Sequence, residues 1–445
     1  MEESSFEPRS KFINKVIFTF FGIAALLGWN ALLTELDYFE FFLKSMEPSL
    51  SFPFLNYILN ITFQFILIWK KDLIPLKIEL LGGIIGSIVM LALIPLSASV
   101  LGIDEWINKI ITGGLVVIMG FINALASGGF FSYTGHFPLE MIVIFTMGQG
   151  LSAVLLNLLQ YIVLVSVNID DEKTQYVVRG WIFFSFSIII LVVCLILLIY
   201  SYKDEYCKFY LDKTQNALIN ATNKETKALP LYSDEEKKNN SDNAEETNGN
   251  VNIKNIDEDE IVEEKYTPKF SYIFKKIWDL DLLACYGYVL TFALFPNACV
   301  SQKIFEIGKY NMVTIIIIYN IFDTMGRYIV KLITPNKNVN LIIMLGRSIL
   351  LFTIIFNNYC QQNDKVNITF TSIFLMVNVA LLGLSNGMGA TLTFGLASRS
   401  AEDEIKKQTG GSIGFFSILG IFLGSCFAFA TGAIIKSFTP NKNEN

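Results

Sequence analysis

The apolar positions of this chain gather into runs close to the length of a membrane crossing, which takes about 20 helical residues. Eleven such runs stand out, over residues 15–34, 52–69, 78–101, 109–133, 140–165, 177–202, 280–300, 313–333, 341–357, 368–396 and 412–435. In lipid every backbone polar group has to be satisfied within the segment or its closed assembly, so each run is expected as a helix. The pattern predicts an all-α polytopic membrane protein. In the third run Gly82 and Gly86 make a small face for close helix packing, and Pro95 predicts a kink.

The polar stretches between the runs set an orientation. Arg9, Lys11 and Lys15 precede the first run, and Glu35, Asp37, Glu40 and Glu47 follow it. Basic residues recur after the second run (Lys70, Lys71), the eighth (Lys331, Lys337) and the tenth (Arg399, Lys406, Lys407). By the positive-inside rule these ends are cytoplasmic, the N-terminus is cytoplasmic, and the odd count places the C-terminus outside. Lys436 and Lys442 near that terminus run mildly against the rule. Asn367-Ile368-Thr369 is then an external glycan-acceptor triplet.

Between the sixth and seventh runs the composition changes. Residues 203–276 are rich in Asn, Lys, Asp and Glu, with acidic clusters such as Asp257 to Glu260, Glu263 and Glu264. Too little apolar surface is present there to offset ordering entropy, so a disordered cytoplasmic linker is expected. It reads as solvated chain, with docking of a cytoplasmic partner as the sharper alternative. The resulting organisation is an N-terminal six-helix bundle (1–202), the linker (203–276) and a C-terminal five-helix bundle (277–445), a 6+5 arrangement around a central path.

Composition narrows the function. The chain has 445 residues, 53% hydrophobic and 17% charged, where a soluble protein carries about 25% charge. The N-terminal Met1-Glu2-Glu3 is acidic where a cleavable signal would be basic. The six cysteines are scattered without metal spacing and read as small buried apolar residues. With one histidine, His136 at a cytoplasmic turn, a His-based metal site or triad is not supported. No nucleotide-binding Gly-rich loop and no nucleophile–base set is visible, so neither ATP-driven pumping nor an enzyme is favoured. No cofactor, metal or nucleic acid is expected; the lipid bilayer is.

Polar residues inside the runs carry the remaining information. Asp323 and Arg327 lie four apart in the eighth run and share one helical face, with Asn320 beside them. Each charge at that depth costs about 2.5 to 3.5 kcal/mol, so the pair either locks helices together or lines a solute path. Trp29-Asn30 in the first run is an interfacial anchor or a cavity wall offering a ring to a flat ligand, with Leu26 and Leu33 on the same face. Gln149, between Gly148 and Gly150, either bridges helices or reads a heterocyclic base through its paired donor and acceptor. Phe295-Pro296 in the seventh run reads as a kink or gate. The tenth run also contains Ser385, Asn386 and Gly387, and the glycines of the tenth and eleventh runs read as packing faces that also allow sliding.

These motifs, in order, resemble the equilibrative nucleoside transporter family. Trp29-Asn30, Gly148-Gln149-Gly150-Leu151, Phe295-Pro296, Asn320-Ile321-Phe322-Asp323 with Gly326-Arg327, and Ser385-Asn386-Gly387 match its pattern across nearly all of the chain outside the linker and tails. Two positions depart from it: Gly28 stands where Pro is common, and Thr324 where a bulky residue is frequent. The resemblance implies a major-facilitator-like fold and facilitative transport of nucleosides, with nucleobases as a second class, by alternating access, most simply in the plasma membrane. It implies that Asp323 and Arg327 hold the ribose hydroxyls and Gln149 reads the base. Trp29, Leu26 and Leu33 would line the site. The alternatives are a proton-coupled carrier of the same substrates in an organelle membrane, and a non-transporting receptor or scaffold. Buried Asp323, Arg327 and Gln149 in two bundles favour a carrier.

Overall fold

The computed structural model describes residues 8–70, 73–99, 105–213, 270–333, 336–363, 366–402 and 405–437. Among them are eleven helical crossings long and apolar enough to span a membrane. The first six are α1 (Pro8–Thr34), α3 (Pro48–Trp69), α4 (Leu76–Ser99), α5 (Glu105–Gly135), α6 (Leu139–Ser166) and α7 (Glu172–Ser201). The short helix α2 (Leu36–Phe42) lies between α1 and α3. The seventh crossing runs through α9 (Phe270–Leu294), breaks at Phe295-Pro296 and continues as the one-turn α10 (Asn297–Val300). Then come α11 (Asn311–Ile329), the split pair α12 (Lys337–Gly346) and α13 (Ile349–Gln362), α14 (Ile368–Ser400) and α15 (Lys406–Ser437).

The eleven runs and eleven crossings coincide, but three details differ from the sequence reading. The stretch 203–276 is not linker at its edges. Residues 205–213 form a further helix, α8, because Tyr206, Cys207 and Tyr210 bury their side chains beneath the first bundle. Tyr210 lies 5.5 Å from the Phe137 ring. Asp204 accepts from the Cys207 amide at 3.2 Å and from Asn14 Nδ2 at 3.1 Å, tying α8 to the start of α1. At the other edge α9 already begins at Phe270, ten residues before the predicted run, with a local break at Ile277 (φ −130°, ψ 16°). The acidic clusters, and any partner they would dock, lie outside the described residues. Third, the loop after α1 is itself structured by α2, whose Tyr38 and Phe39 pack into the aromatic core against Phe184.

Two glycine-lined crossings position everything that follows. On α1 and α6, a Cβ on Gly22 would lie 2.0 Å from the Phe145 oxygen, and one on Gly148 would lie 2.1 Å from the Thr19 oxygen. On α11 and α14, a Cβ on Gly387 would lie 1.9 Å from the Asp323 oxygen and one on Gly383 would lie 2.3 Å from the Tyr319 oxygen. Backbones can meet that closely only where no side chain stands between them. The first bundle packs α1 and α3–α7 together, the second α9 and α11–α15; α6 meets α11, and α15 meets α3 and α5, across the interface.

The two ends of the molecule differ in charge. One end holds the start of α1, where Lys15 pairs with Glu140 at 2.7 Å, and the ion pairs Lys276–Glu402 and Lys337–Asp279. The opposite end holds Glu35, Asp37 and the pair between Glu47 and Lys436, 3.4 Å apart, which links the start of α3 to the end of α15. Asn367 of the glycan-acceptor triplet caps α14 at that end, its side chain accepting from the Thr369 amide at 2.8 Å.

Candidate functional site

A cavity of about 90 Å³ lies between the bundles near mid-helix depth, room for a handful of waters. All nine residues singled out from the sequence face it. Leu26, Trp29 and Leu33 come from α1 and Gln149 from α6. Asn320, Asp323 and Arg327 come from α11, and Phe295 and Pro296 from the break after α9. Both bundles therefore contribute, and the wall is mostly apolar with a few converging polar groups, the usual make-up of a small-molecule site.

The polar groups form one connected network. Arg327 Nε donates to Asp323 Oδ2 at 2.8 Å, an i,i+4 pair with both side chains buried. Arg327 Nη1 donates across the interface to the Thr146 carbonyl oxygen at 3.0 Å and to Gln149 Oε1 at 3.1 Å. The other carboxylate oxygen, Asp323 Oδ1, accepts from Asn386 Nδ2 at 2.7 Å. Asn386 Oδ1 in turn faces Thr291 Oγ1 at 2.9 Å and Arg347 Nη1 at 3.4 Å. Hydrogen bonds in which one partner is ionised are the strong ones, so the carboxylate is held from two sides.

The remaining cavity groups have capacity to spare. Gln149 commits its oxygen to Arg327, and its NH₂ donates to no described residue. Trp29 is 4% exposed and packs edge-on against Tyr57 at 5.0 Å, yet its Nε1–H has no acceptor among the described residues. Asn30 is not an orphan: it donates to Ser152 Oγ at 2.5 Å. Phe295 stacks on Tyr319 with ring centroids 4.1 Å apart and planes 16° apart, forming an aromatic wall at the end of α9. Thr324 does not line the cavity. It packs at the bundle interface, where a Cβ on Gly150 would lie 2.7 Å from its Oγ1.

Sequence reasoning missed two members of the network. Asn386 stands in the Ser385-Asn386-Gly387 stretch with no role of its own in the sequence, whereas in the structure it is the second donor to the Asp323 carboxylate. Arg347, inside the ninth run, is the other. It is 3% exposed, sits at the break between α12 and α13, and belongs to the same network. The signal that marks Arg327, a guanidinium within an apolar run, marks Arg347 equally.

A second cavity of about 410 Å³ opens at the end that carries Glu47 and Lys436; Ser45, Ser51, Asn297 and Ser301 contribute to its wall.

The family model described as Nucleoside transporter matches residues 113–433. The chain is 23% identical to equilibrative nucleoside transporter 2 of Homo sapiens, over 94% of this chain and 97% of that protein. It is 22% identical to equilibrative nucleotide transporter 1 of Arabidopsis thaliana, over 93% of this chain and 85% of that protein. Among solved structures it is similar to the major facilitator superfamily proton:xylose symporter XylE bound to 6-bromo-6-deoxy-D-glucose. The TM-score is 0.60 at 12% identity, covering 98% of this chain and 97% of that one. The E. coli fucose:proton symporter FucP gives a TM-score of 0.51 at 10% identity, with 97% of each chain covered. At those identities the likeness is one of fold, and the fold is the major-facilitator arrangement of two bundles.

Proposed function

From the premise that the chain belongs to the nucleoside transporter family, we propose that it is a facilitative carrier of nucleosides, working by alternating access across the membrane its eleven helices span. One observation carries the reading beyond the family. A buried carboxylate–guanidinium pair lies on an apolar cavity between two bundles, and its arginine donates to both bundles at once. A substrate that competes for that guanidinium changes the contact that holds the bundles together, which is what alternating access requires.

Each residue then has a role. Asp323 and Arg327 hold the ribose hydroxyls, the carboxylate accepting and the guanidinium donating, with Asn320 beside them. Gln149 offers its NH₂ to an acceptor on the base edge. Trp29 gives a ring face and an N–H donor, while Leu26 and Leu33 exclude water from the base. Phe295 and Pro296 join two helical segments at the outer end of the cavity and act as a hinge. The outer cavity beside Glu47 and Lys436 is the entrance on that side. The N-terminus faces the cytoplasm, the C-terminus faces out, and the plasma membrane is the site of action. Nucleobases, which lack the sugar that Asp323 and Arg327 would hold, are the weaker substrates.

The test is uptake of labelled nucleosides and nucleobases into proteoliposomes, with and without an inward proton gradient. Saturable nucleoside uptake that stops at the external concentration is expected. Gradient-driven accumulation would overturn the facilitative reading, and absence of any saturable uptake would overturn the carrier itself. For orientation, an impermeant thiol reagent applied to sealed cells should reach Lys436→Cys and not Lys208→Cys.

A further inference from the structure

Arg347 is a buried guanidinium at membrane depth with no carboxylate in contact among the described residues. Its Nη2 donates to Thr291 Oγ1 at 2.5 Å and to the Leu382 carbonyl oxygen at 3.5 Å. Its Nη1 lies 3.4 Å from Asn386 Oδ1 and 4.0 Å from Met344 Sδ. Its Nε has no acceptor among the described residues. It does not line the central cavity; Asn386 stands between it and Asp323. A charge retained at such cost, reaching the Asp323 carboxylate only through Asn386, calls for a reason other than helix packing.

The reason lies in donor and acceptor arithmetic. An amide side chain can sit either way round, and which way is set by its neighbours. Arginine can only donate and an ionised carboxylate can only accept. Asn386 is held between one of each, so only one orientation satisfies both ends: Oδ1 toward Arg347 and Nδ2 toward Asp323. The Thr291 hydroxyl alone does not enforce this, because a hydroxyl can donate or accept. Thr291 also has a second acceptor, the Gly287 carbonyl oxygen at 2.9 Å, for its single hydrogen. With Arg347 accepted by its oxygen, the hydroxyl is left to donate, and its one hydrogen is shared between the Gly287 carbonyl oxygen and Asn386 Oδ1, so it supports the orientation only in part.

We propose that Arg347 is the positioning residue of the site: it anchors the oxygen end of the Asn386 amide whose NH₂ donates to Asp323, and through it sets the pose in which the carboxylate meets the sugar. Without it the carboxylate still holds the NH₂, but the amide oxygen loses its charged donor; the Asn386 side chain is then anchored at one end only, and Asp323 loses its fixed place beside Arg327. Arg347 thus acts on sugar recognition from outside the cavity. The inference rests on the nucleoside reading of the site given above.

The experiment compares initial uptake of uridine and inosine with that of their 3′-deoxy counterparts, as Vmax/KM ratios corrected for surface level. The variants are Arg347→Gln, Arg347→Lys, Asn386→Leu and the double Arg347→Gln with Asn386→Leu. Loss of a hydrogen bond to a charged group should reduce the preference for the ribonucleoside about tenfold in Arg347→Gln. Arg347→Lys, still a pure donor, should keep most of the preference, and the double variant should be no worse than Asn386→Leu alone. Unchanged preference in Arg347→Gln, or a double loss equal to the product of the single losses, would overturn the proposal. If Arg347→Gln does not reach the membrane, Asn386→Leu decides: wild-type preference there overturns the proposal and its loss supports it. Wild-type protein that transports neither nucleoside removes the site reading and this inference together, whereas normal wild-type transport with indifferent variants removes only the inference.

Discussion

Arg327 Nη1 lies 3.0 Å from the carbonyl oxygen of Thr146, so a side chain of the second bundle bonds the backbone of the first. The same guanidinium binds Asp323 through Nε. One residue therefore belongs both to the cavity wall and to the closure between bundles, and changes to it should act on transport and on stability together.

Arg327→Ala strands the Asp323 carboxylate and should lower both surface level and uptake, since breaking one partner of a buried pair costs about 3 to 5 kcal/mol. Asp323→Asn is also harmful. Asp323 accepts from Arg327 on one oxygen and from Asn386 on the other, and an Asn offers a single acceptor, leaving its NH₂ facing a donor. Replacing the pair together, as Asp323→Leu with Arg327→Met, should restore surface level without restoring nucleoside uptake. Near-normal uptake by that double variant would leave the pair only a packing role.

Trp29→Phe separates binding from folding. The Nε1–H has no protein acceptor among the described residues, so removing it should leave the melting temperature unchanged or raise stability by about 1 kcal/mol. Uptake KM should nonetheless rise if, as proposed, the donor serves the substrate. A KM equal to wild type would restrict Trp29 to its ring face.

Gly387→Ala places a methyl group 1.9 Å from the Asp323 carbonyl oxygen. α11 and α14 must then separate, at a cost of about 1 to 3 kcal/mol, and the separation stretches the Asn386–Asp323 bond. Lower thermal stability with loss of uptake is expected. Stability and uptake equal to wild type would mean that the two helices are not held as closely as described.

The end that carries Glu35 and Asp37 should be pH-sensitive. Glu35 and Asp37 lie together there; burial pushes the Asp37 carboxyl up to about 6 and the Glu35 carboxyl well above the usual carboxylate range. Arg179 opposes both shifts, Gln160 donates to Asp37 at 3.0 Å, and Tyr176 and Glu172 complete the surroundings. A carboxyl whose folded pKa exceeds its unfolded one binds more protons when folded, so stability is gained as pH falls through that interval and lost as it rises. Melting temperature of the purified protein should therefore increase from pH 7.5 toward pH 5.5, on the order of the window these shifts define. The increase should be smaller in Asp37→Asn; an equal increase there would assign the effect to other groups.

What the sequence determined by itself is local. Hydropathy marks each crossing because a membrane helix must satisfy its own backbone, and that requirement is met within a single run. The Asp323–Arg327 pair was legible because four residues make one helical turn, and the order of motifs around Trp29, Gln149 and Asn320 was enough to name nine of the residues that line the cavity. The tertiary structure decided the rest. Asn386 reaches Asp323 from 63 residues away and Arg347 reaches Asn386 from 39. Both contacts depend on how closely α11, α14 and the α12–α13 break pack, which no periodicity within one helix encodes. The helix at 205–213 was hidden for a related reason: its few aromatic residues are too sparse to stand out in a polar stretch, and they form a helix because Phe137 and the start of α1 provide a surface to bury them.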